Sequence, residues 1–323
     1  MDVILADLDG VVYTGKNAIP HAVDSLNTAA EEHRIGYITN NASRTADVVA
    51  TQLTGFGLTV TGDEVVTSPQ AAVRLLATVV DPGATILVIG GEGLTTVVEA
   101  AGFRLTRSAD DAPAAVIQGF APEVGWKDLA EASYALAADI PWVATNQDWT
   151  IPQERGIAPG NGTLVSAVHT AVGKLPLVAG KPEKAIFDAA VERFGATSPL
   201  FIGDRLDTDI VGANKAGIPS VLVLTGIDRA KQVLAAPADS RPRYILGDLR
   251  ELHEAYPATS EAQDRDGATI YTVRHAKVKL HGNVVSVVDA GASPVDLLRA
   301  GAAAVWGSGL MIYGMVVDPA LYE

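Results

Sequence analysis

The chain has no cysteine, so neither a disulfide framework nor a thiolate metal centre can be built from it. Aromatic residues are scarce, 6% of 323, while hydrophobic residues make up 48%; the core must therefore come mostly from Val, Leu, Ile and Ala. Positive charge is short as well, 24 Lys and Arg against 38 Asp and Glu, for a net charge of -14. That balance argues against a nucleic-acid surface, and an anionic ligand would need positive charge gathered locally. No apolar run is long enough to span a bilayer, and the first residues carry no basic n-region, apolar h-region or cleavage site. The expectation is a cytoplasmic protein that binds neither nucleic acid nor membrane. The length allows two or three domains.

What is present begins at once. Val3-Ile4-Leu5-Ala6 reads as a buried strand that delivers Asp7-Leu8-Asp9-Gly10 into a turn. Two carboxylates that close repel each other, and a hard divalent cation would offset the repulsion. An exposed β-turn explains the same residues by local preference alone. The pair by itself leaves both readings open.

Further along, apolar runs and helical segments alternate. Strands are expected at 35–38, 85–89, 115–117, 142–144, 200–203, 220–224 and 243–246. Helices are expected at 21–32, 43–53, 94–100, 127–138 and 164–172, from Lys181-Pro182 onward, and at 209–216 before Gly217. This rhythm predicts an α/β protein with doubly wound parallel sheets. Residues 1–81 and 176–257 form one core domain, and 82–175 an inserted α/β domain. A polar linker at 258–267 leads to a small α/β extension, 258–323, with strands at 270–280, 284–288 and 311–317 and a helix at 294–306.

Four polar clusters fall at the ends of strands assigned to the core: Asp7 with Asp9, Thr39-Asn40-Asn41, Lys181, and Asp204 with Asp209. Ligands of open α/β sheets lie beyond such carboxyl ends. Together the clusters suit phosphoryl transfer, which needs a carboxylate nucleophile, a second carboxylate to handle the leaving-group proton, a metal, and donors for the phosphate oxygens. Singly, Lys181 reads as a solvated helix start and Thr39 as a cap. Asp207 reads as a turn residue. Arg44 and Arg205 could attract an anion, although a surface ion pair is the commoner fate. Gly90-Gly91-Glu92-Gly93 lacks the third glycine of a dinucleotide loop and reads as a tight turn. The glycosylation patterns at Asn41 and Asn161 are coincidental in such a chain. The six histidines show no ligand spacing, and His169 reads as a packing residue.

These clusters resemble the motifs of the haloacid dehalogenase superfamily: Asp7-Leu8-Asp9-Gly10, Thr39, Lys181, and Gly203-Asp204 through Asp209. DLDGVVYTG, YITNNASR, AGKPEKAIF and GDRLDTDI look like the NagD and 4-nitrophenylphosphatase branch, with its large α/β cap at 82–175. Asn146-Gln147-Asp148 with Pro152, Gly156, Pro159-Gly160 and Gly162 is similar to that branch's cap signature. The resemblance implies roles. Asp7 is the nucleophile and Asp9 the proton donor and acceptor; Thr39, Asn40, Asn41 and Lys181 hold the phosphoryl group. Asp7, Asp9 (through its carbonyl) and Asp204 bind Mg²⁺, and Asp209 supports them from behind.

In the cap, Asn146, Asp148 and the loop 151–160 are candidates for the leaving group, with Trp149 the one aromatic nearby; their polarity suits a hydroxylated group. The cap would close over the core and exclude water. Core, cap and tail together resemble actinobacterial glycerol-3-phosphate phosphatases, which makes glycerol 3-phosphate the leading substrate. Nucleoside monophosphate, phosphoglycolate and pyridoxal phosphate are alternatives. A non-catalytic phosphometabolite-binding regulator would be expected to have lost a motif acid, and all are present. The tail looks like an acetyltransferase fragment, but Arg299 is followed by Ala302 where the pyrophosphate loop needs glycine. Packing or homodimer formation is the role expected of it.

Overall fold

The computed structural model describes residues 1–153 and 155–323. The central sheet has six parallel strands in the spatial order Tyr244–Leu246, Ser220–Val223, Pro199–Gly203, Val3–Ala6, Arg34–Thr39, Val65–Thr67. Val3–Ala6 lies in the middle and is buried throughout, as an uninterrupted apolar run in a parallel sheet requires. Ala6 is level with Ile202 on one side and Tyr37 on the other. That register brings Asp7, Thr39 and Asp204 out at the same end of the sheet.

Gly36 shows how tightly the helices lie against it. A Cβ there would stand 2.4 Å from the Phe194 ring, at the end of the helix Lys184–Phe194. This helix does not open at Lys181-Pro182 as expected. Both backbone groups of Lys181 are bonded to the Asn40 side chain, which holds the residue in a turn until the helix starts at Lys184.

A second parallel sheet runs in the order Leu177–Val178, Trp142–Ala144, Ala115–Gln118, Thr85–Ile89, Arg104–Thr106. It thus reaches slightly past 175. The loop 151–160 contains an antiparallel hairpin, Thr150–Gln153 with Gly156–Pro159; residue 154 lies outside the described residues. The helix Ser68–Leu76 sits between the two sheets. One apolar cluster passes from Leu5 and Ile38 through Ala72 and Leu76 to Ile86, Val88, Ile117 and Val143. The inserted domain is therefore docked on the core through buried apolar surface, and not hinged clear of it as a freely closing lid would be.

The tail differs from expectation in three places. The supposed linker contains an edge strand, Thr259–Gln263, exposed at all five residues and paired through its backbone with Thr269–Val273. The single run 270–280 is two strands, Thr269–Val273 and Ala276–His281, reversing near Arg274, whose φ is +49°. Of 311–317, only Val316–Val317 is a strand. The helix Pro294–Gly307 joins this sheet to the core. Arg299 is buried within it and donates to Ile245 O at 2.9 and 2.6 Å, with Asp296 and Glu251 as its anionic partners. Its guanidinium is committed to packing the tail on the last core strand. No helix among the described residues is long and apolar enough to cross a membrane.

Candidate active site

Lys181 is the centre of charge. Its Nζ lies 2.5 Å from Asp7 Oδ1 and 2.7 Å from Asp209 Oδ1, and all three residues are buried. Burial works against its positive charge, but Asp209 and Asp7 more than compensate and hold its pKa above the ordinary value. Burial pushes the Asp7 carboxyl well up, with Lys181 opposing and Asp209 and Asp204 adding to the rise. Asp204 is pushed up to about 7, by burial first and Asp209 second. Each shift records the cost of an ionised carboxylate away from water among others.

Asp209 organises the loop from behind: its Oδ2 accepts the N–H of Asp204 at 3.1 Å and of Arg205 at 3.2 Å. It reaches inward because Leu206–Ile210 forms a single π-helical turn, a local widening that occurs at functional sites.

Asp7, Asp204 and Asp209 each offer an oxygen within 4.8 Å of the others. One lysine cannot neutralise three carboxylates. Asp204 Oδ2 accepts the Ile227 N–H at 2.7 Å, whereas its Oδ1 is buried with no hydrogen-bond partner among the described residues. A buried anionic oxygen without a partner is costly, and a hard cation is the ligand that oxygen donors fit. Two glycines make the site possible: a Cβ on Gly226 or Gly10 would fall 1.8 or 2.3 Å from Asp204 Oδ2.

Asp9 is placed apart from this cluster. It is open to solvent, yet surrounding protein raises its carboxyl above the ordinary value, against the pull of Arg44, Lys181 and Tyr13. Thr39 is buried, and its hydroxyl accepts the Asn41 N–H at 3.1 Å. The Asn41 side chain caps its own loop, accepting from Ser43 N and Oγ and from Arg44 N.

Asn40 is a clamp. Its Oδ1 accepts the Lys181 N–H at 2.8 Å; its Nδ2 donates to Lys181 O at 3.0 Å and to Asp148 Oδ1 at 3.1 Å. Asn146, buried, donates to Asn40 O at 2.8 Å and accepts from Asp148 N at 3.1 Å. The cap residues expected near the core do reach it, but Asn146 is occupied by backbone. Asp148, half-buried, has its carboxyl raised by burial, with Asn40 opposing. Asn40→Ala leaves the Lys181 N–H and Asp148 without their partner, and is expected to cost about 2–3 kcal/mol in urea unfolding. A loss under about 0.5 kcal/mol would show that the clamp contributes nothing.

Other expectations resolve more simply. Arg205 forms a two-point pair with Asp207 at 3.0 and 2.8 Å. His169 donates from Nδ1 to Lys174 O at 2.7 Å, closing the end of its helix, and Asn161 is buried with Nδ2 donating to Asn146 O. Trp149 is 65% exposed. The glycine run 90–93 is not the tight turn expected of it: Gly91 caps a helix that starts at Glu92, and its Gly93 meets the core directly, a Cβ there lying 2.6 Å from Arg44 O and 2.7 Å from Ala42 O. The sequence pointed to neither Tyr13 beside Asp9 nor the 225–228 loop. That loop follows the strand Ser220–Val223, so the rule that sites gather beyond strand ends could have found it.

Residues 4–104 match the family model described as haloacid dehalogenase-like hydrolase, and residues 178–252 match the related model for this hydrolase class. The chain belongs to the haloacid dehalogenase-like hydrolases. This hydrolase is 45% identical over 307 residues to D-glycerol 3-phosphate phosphatase of Mycobacterium tuberculosis, covering 94% of the chain and 86% of that protein. It is 33% identical to an acid sugar phosphatase of Staphylococcus saprophyticus, covering 77% of the chain and 95% of the relative. The crystal structure of glycerol phosphate phosphatase from M. tuberculosis in complex with magnesium superimposes with a TM-score of 0.88 at 42% identity, covering 98% of this hydrolase and 93% of that chain.

Proposed function

We propose that this hydrolase is a Mg²⁺-dependent phosphomonoesterase that works through an aspartyl phosphate, with glycerol 3-phosphate as its substrate. The observation that carries the mechanism is Lys181 seated between Asp7 and Asp209 beside an unpartnered Asp204 oxygen. The 45% identity over nearly the whole chain to a D-glycerol 3-phosphate phosphatase supports the substrate.

Asp7 and Asp204, with the Asp9 carbonyl, would hold Mg²⁺, which when bound neutralises phosphate charge and lets the carboxylates stay ionised. Asp7 attacks phosphorus, and its Oδ bond to phosphorus forms as the bond to the alcohol oxygen breaks. Asp9 gives its proton to that oxygen and then takes one from the water that hydrolyses the acyl phosphate. Lys181 fixes the Asp7 rotamer and faces the charge on the phosphoryl group; Thr39 and the N–H groups of its loop bind the remaining oxygens. Asp209 keeps Lys181 charged and in place.

A panel of esters assayed with Mg²⁺ tests the substrate. The kcat/KM for glycerol 3-phosphate is expected to exceed those for nucleoside monophosphates, phosphoglycolate and pyridoxal phosphate by about 10-fold or more. A preference for a nucleotide would overturn the glycerol assignment, and release of no phosphate from any ester would overturn the reaction.

A further inference from the structure

The turn after Asp9 is tied down by its own backbone. Leu8 O accepts from Val12 N at 2.9 Å and Tyr13 N at 3.1 Å, and Gly10 N donates to Tyr13 O at 2.9 Å, with Gly10 at φ +83°. This brings Tyr13 alongside Asp9. The Tyr13 ring is buried and stacks at a tilt on Phe56, centroids 5.7 Å apart, so its hydroxyl has little freedom. That hydroxyl lies 3.4 Å from Arg44 Nη2, and Arg44 by its charge and Tyr13 by its hydroxyl both favour the ionised Asp9 carboxyl. Arg44 is itself fixed: Gln52 accepts from its Nη1, Asn41 Oδ1 accepts its N–H at 3.3 Å, and its carbonyl abuts Gly93 of the cap. A solvent-open carboxylate would otherwise sample several rotamers.

We propose that Tyr13 and Arg44 form a hydroxyl–guanidinium clamp that positions the Asp9 carboxyl for protonating the departing alcohol. The inference rests on the reading of Asp9 as general acid. Tyr13 accepts from Arg44 and donates to Asp9. The proton that passes to the alcohol oxygen comes from Asp9, which regains one from the hydrolytic water, and Tyr13 keeps its own. Tyr13 and Arg44 are positioning residues that act through Asp9. Because Arg44 belongs to the loop that carries Thr39 and touches the cap, the clamp also fixes Asp9 relative to the phosphoryl-binding loop.

Leaving-group dependence separates this role from structural support. An alkoxide leaves only with a proton, whereas 4-nitrophenolate leaves without one, and kcat/KM reports the step in which the ester bond breaks. In the full-length protein with Mg²⁺, Tyr13→Phe is expected to lower kcat/KM for glycerol 3-phosphate by about 10- to 100-fold and for 4-nitrophenyl phosphate by less than about 3-fold. Arg44→Gln, which removes the guanidinium without touching Tyr13, is expected to show the same asymmetry and stands in should Tyr13→Phe fail to fold. Equal losses on both esters would overturn the clamp. Asp9→Asn run alongside distinguishes the two failures. If it is selective while Tyr13→Phe is not, the clamp alone falls; if it slows both esters equally, the general-acid reading falls and takes the clamp with it.

Discussion

Asp7→Asn is expected to reduce phosphate release by about 10⁴-fold or more in kcat, because in the mechanism proposed it deletes the attacking oxygen and not an accessory contact. Nothing nearby can take over. Asp204 and Asp209 belong to the same cluster, but Asp209 has both oxygens engaged, by Lys181 and by two backbone N–H groups. Asp204 is held at one oxygen by Ile227, and its other is the oxygen assigned to the cation. The variant should fold. Lys181 keeps Asp209 as a partner, and removal of one of three crowded buried carboxylates relieves repulsion. Phosphate release by the purified variant, with its melting temperature as the control, checks this. Wild-type turnover from Asp7→Asn would show that the aspartyl phosphate does not form.

The grouping of the motif residues was legible in the sequence because it depends on strand ends. Val3–Ala6 is buried throughout and Arg34–Thr39 and Pro199–Gly203 at their carboxyl ends; all three read as apolar runs and lie side by side in the sheet. Residues just beyond them are forced together whatever the loops do. What could not be read depends on tertiary contacts that leave no periodic trace. Thr259–Gln263 is a strand with no buried face, so alternation had nothing to report; backbone pairing alone makes it a strand. Lys181-Pro182 carries a genuine helix-start pattern, overridden because Asn40, 141 residues earlier, binds both backbone groups of Lys181. Docking of the cap was hidden for a similar reason. The helix Ser68–Leu76, not anticipated from the sequence, supplies the apolar surface that both sheets share. The glycine run 90–93 carries a turn pattern, but it opens the helix Glu92–Ala100, and Gly93 is required by the approach of Arg44 O and Ala42 O from the core.

Magnesium is expected to offset the stability that the metal-free protein loses as pH rises. In the metal-free protein the folded carboxyl of Asp204 is raised from 3.8 to about 7, and Asp7 is raised as well, both by burial first. Between about pH 4 and pH 7 the folded state therefore binds more protons than the unfolded chain, and stability falls as pH rises through that window. Groups held low by hydrogen bonds, such as Asp2, Asp248 and Asp264, act in the opposite sense, but only below about pH 4, where their unfolded carboxyls take up protons. A divalent cation replaces those protons, so its binding strengthens with pH and stabilises the fold most where the metal-free protein is weakest. Thermal melts should show Mg²⁺ raising the melting temperature by about 5–10 °C near pH 7.5 and by little near pH 5, with chelator-treated protein losing stability across the same interval. Melting temperatures that rise with pH in the chelated protein, or a Mg²⁺ increment equal at both pH values, would mean that Asp7 and Asp204 are not the groups whose charge the metal balances.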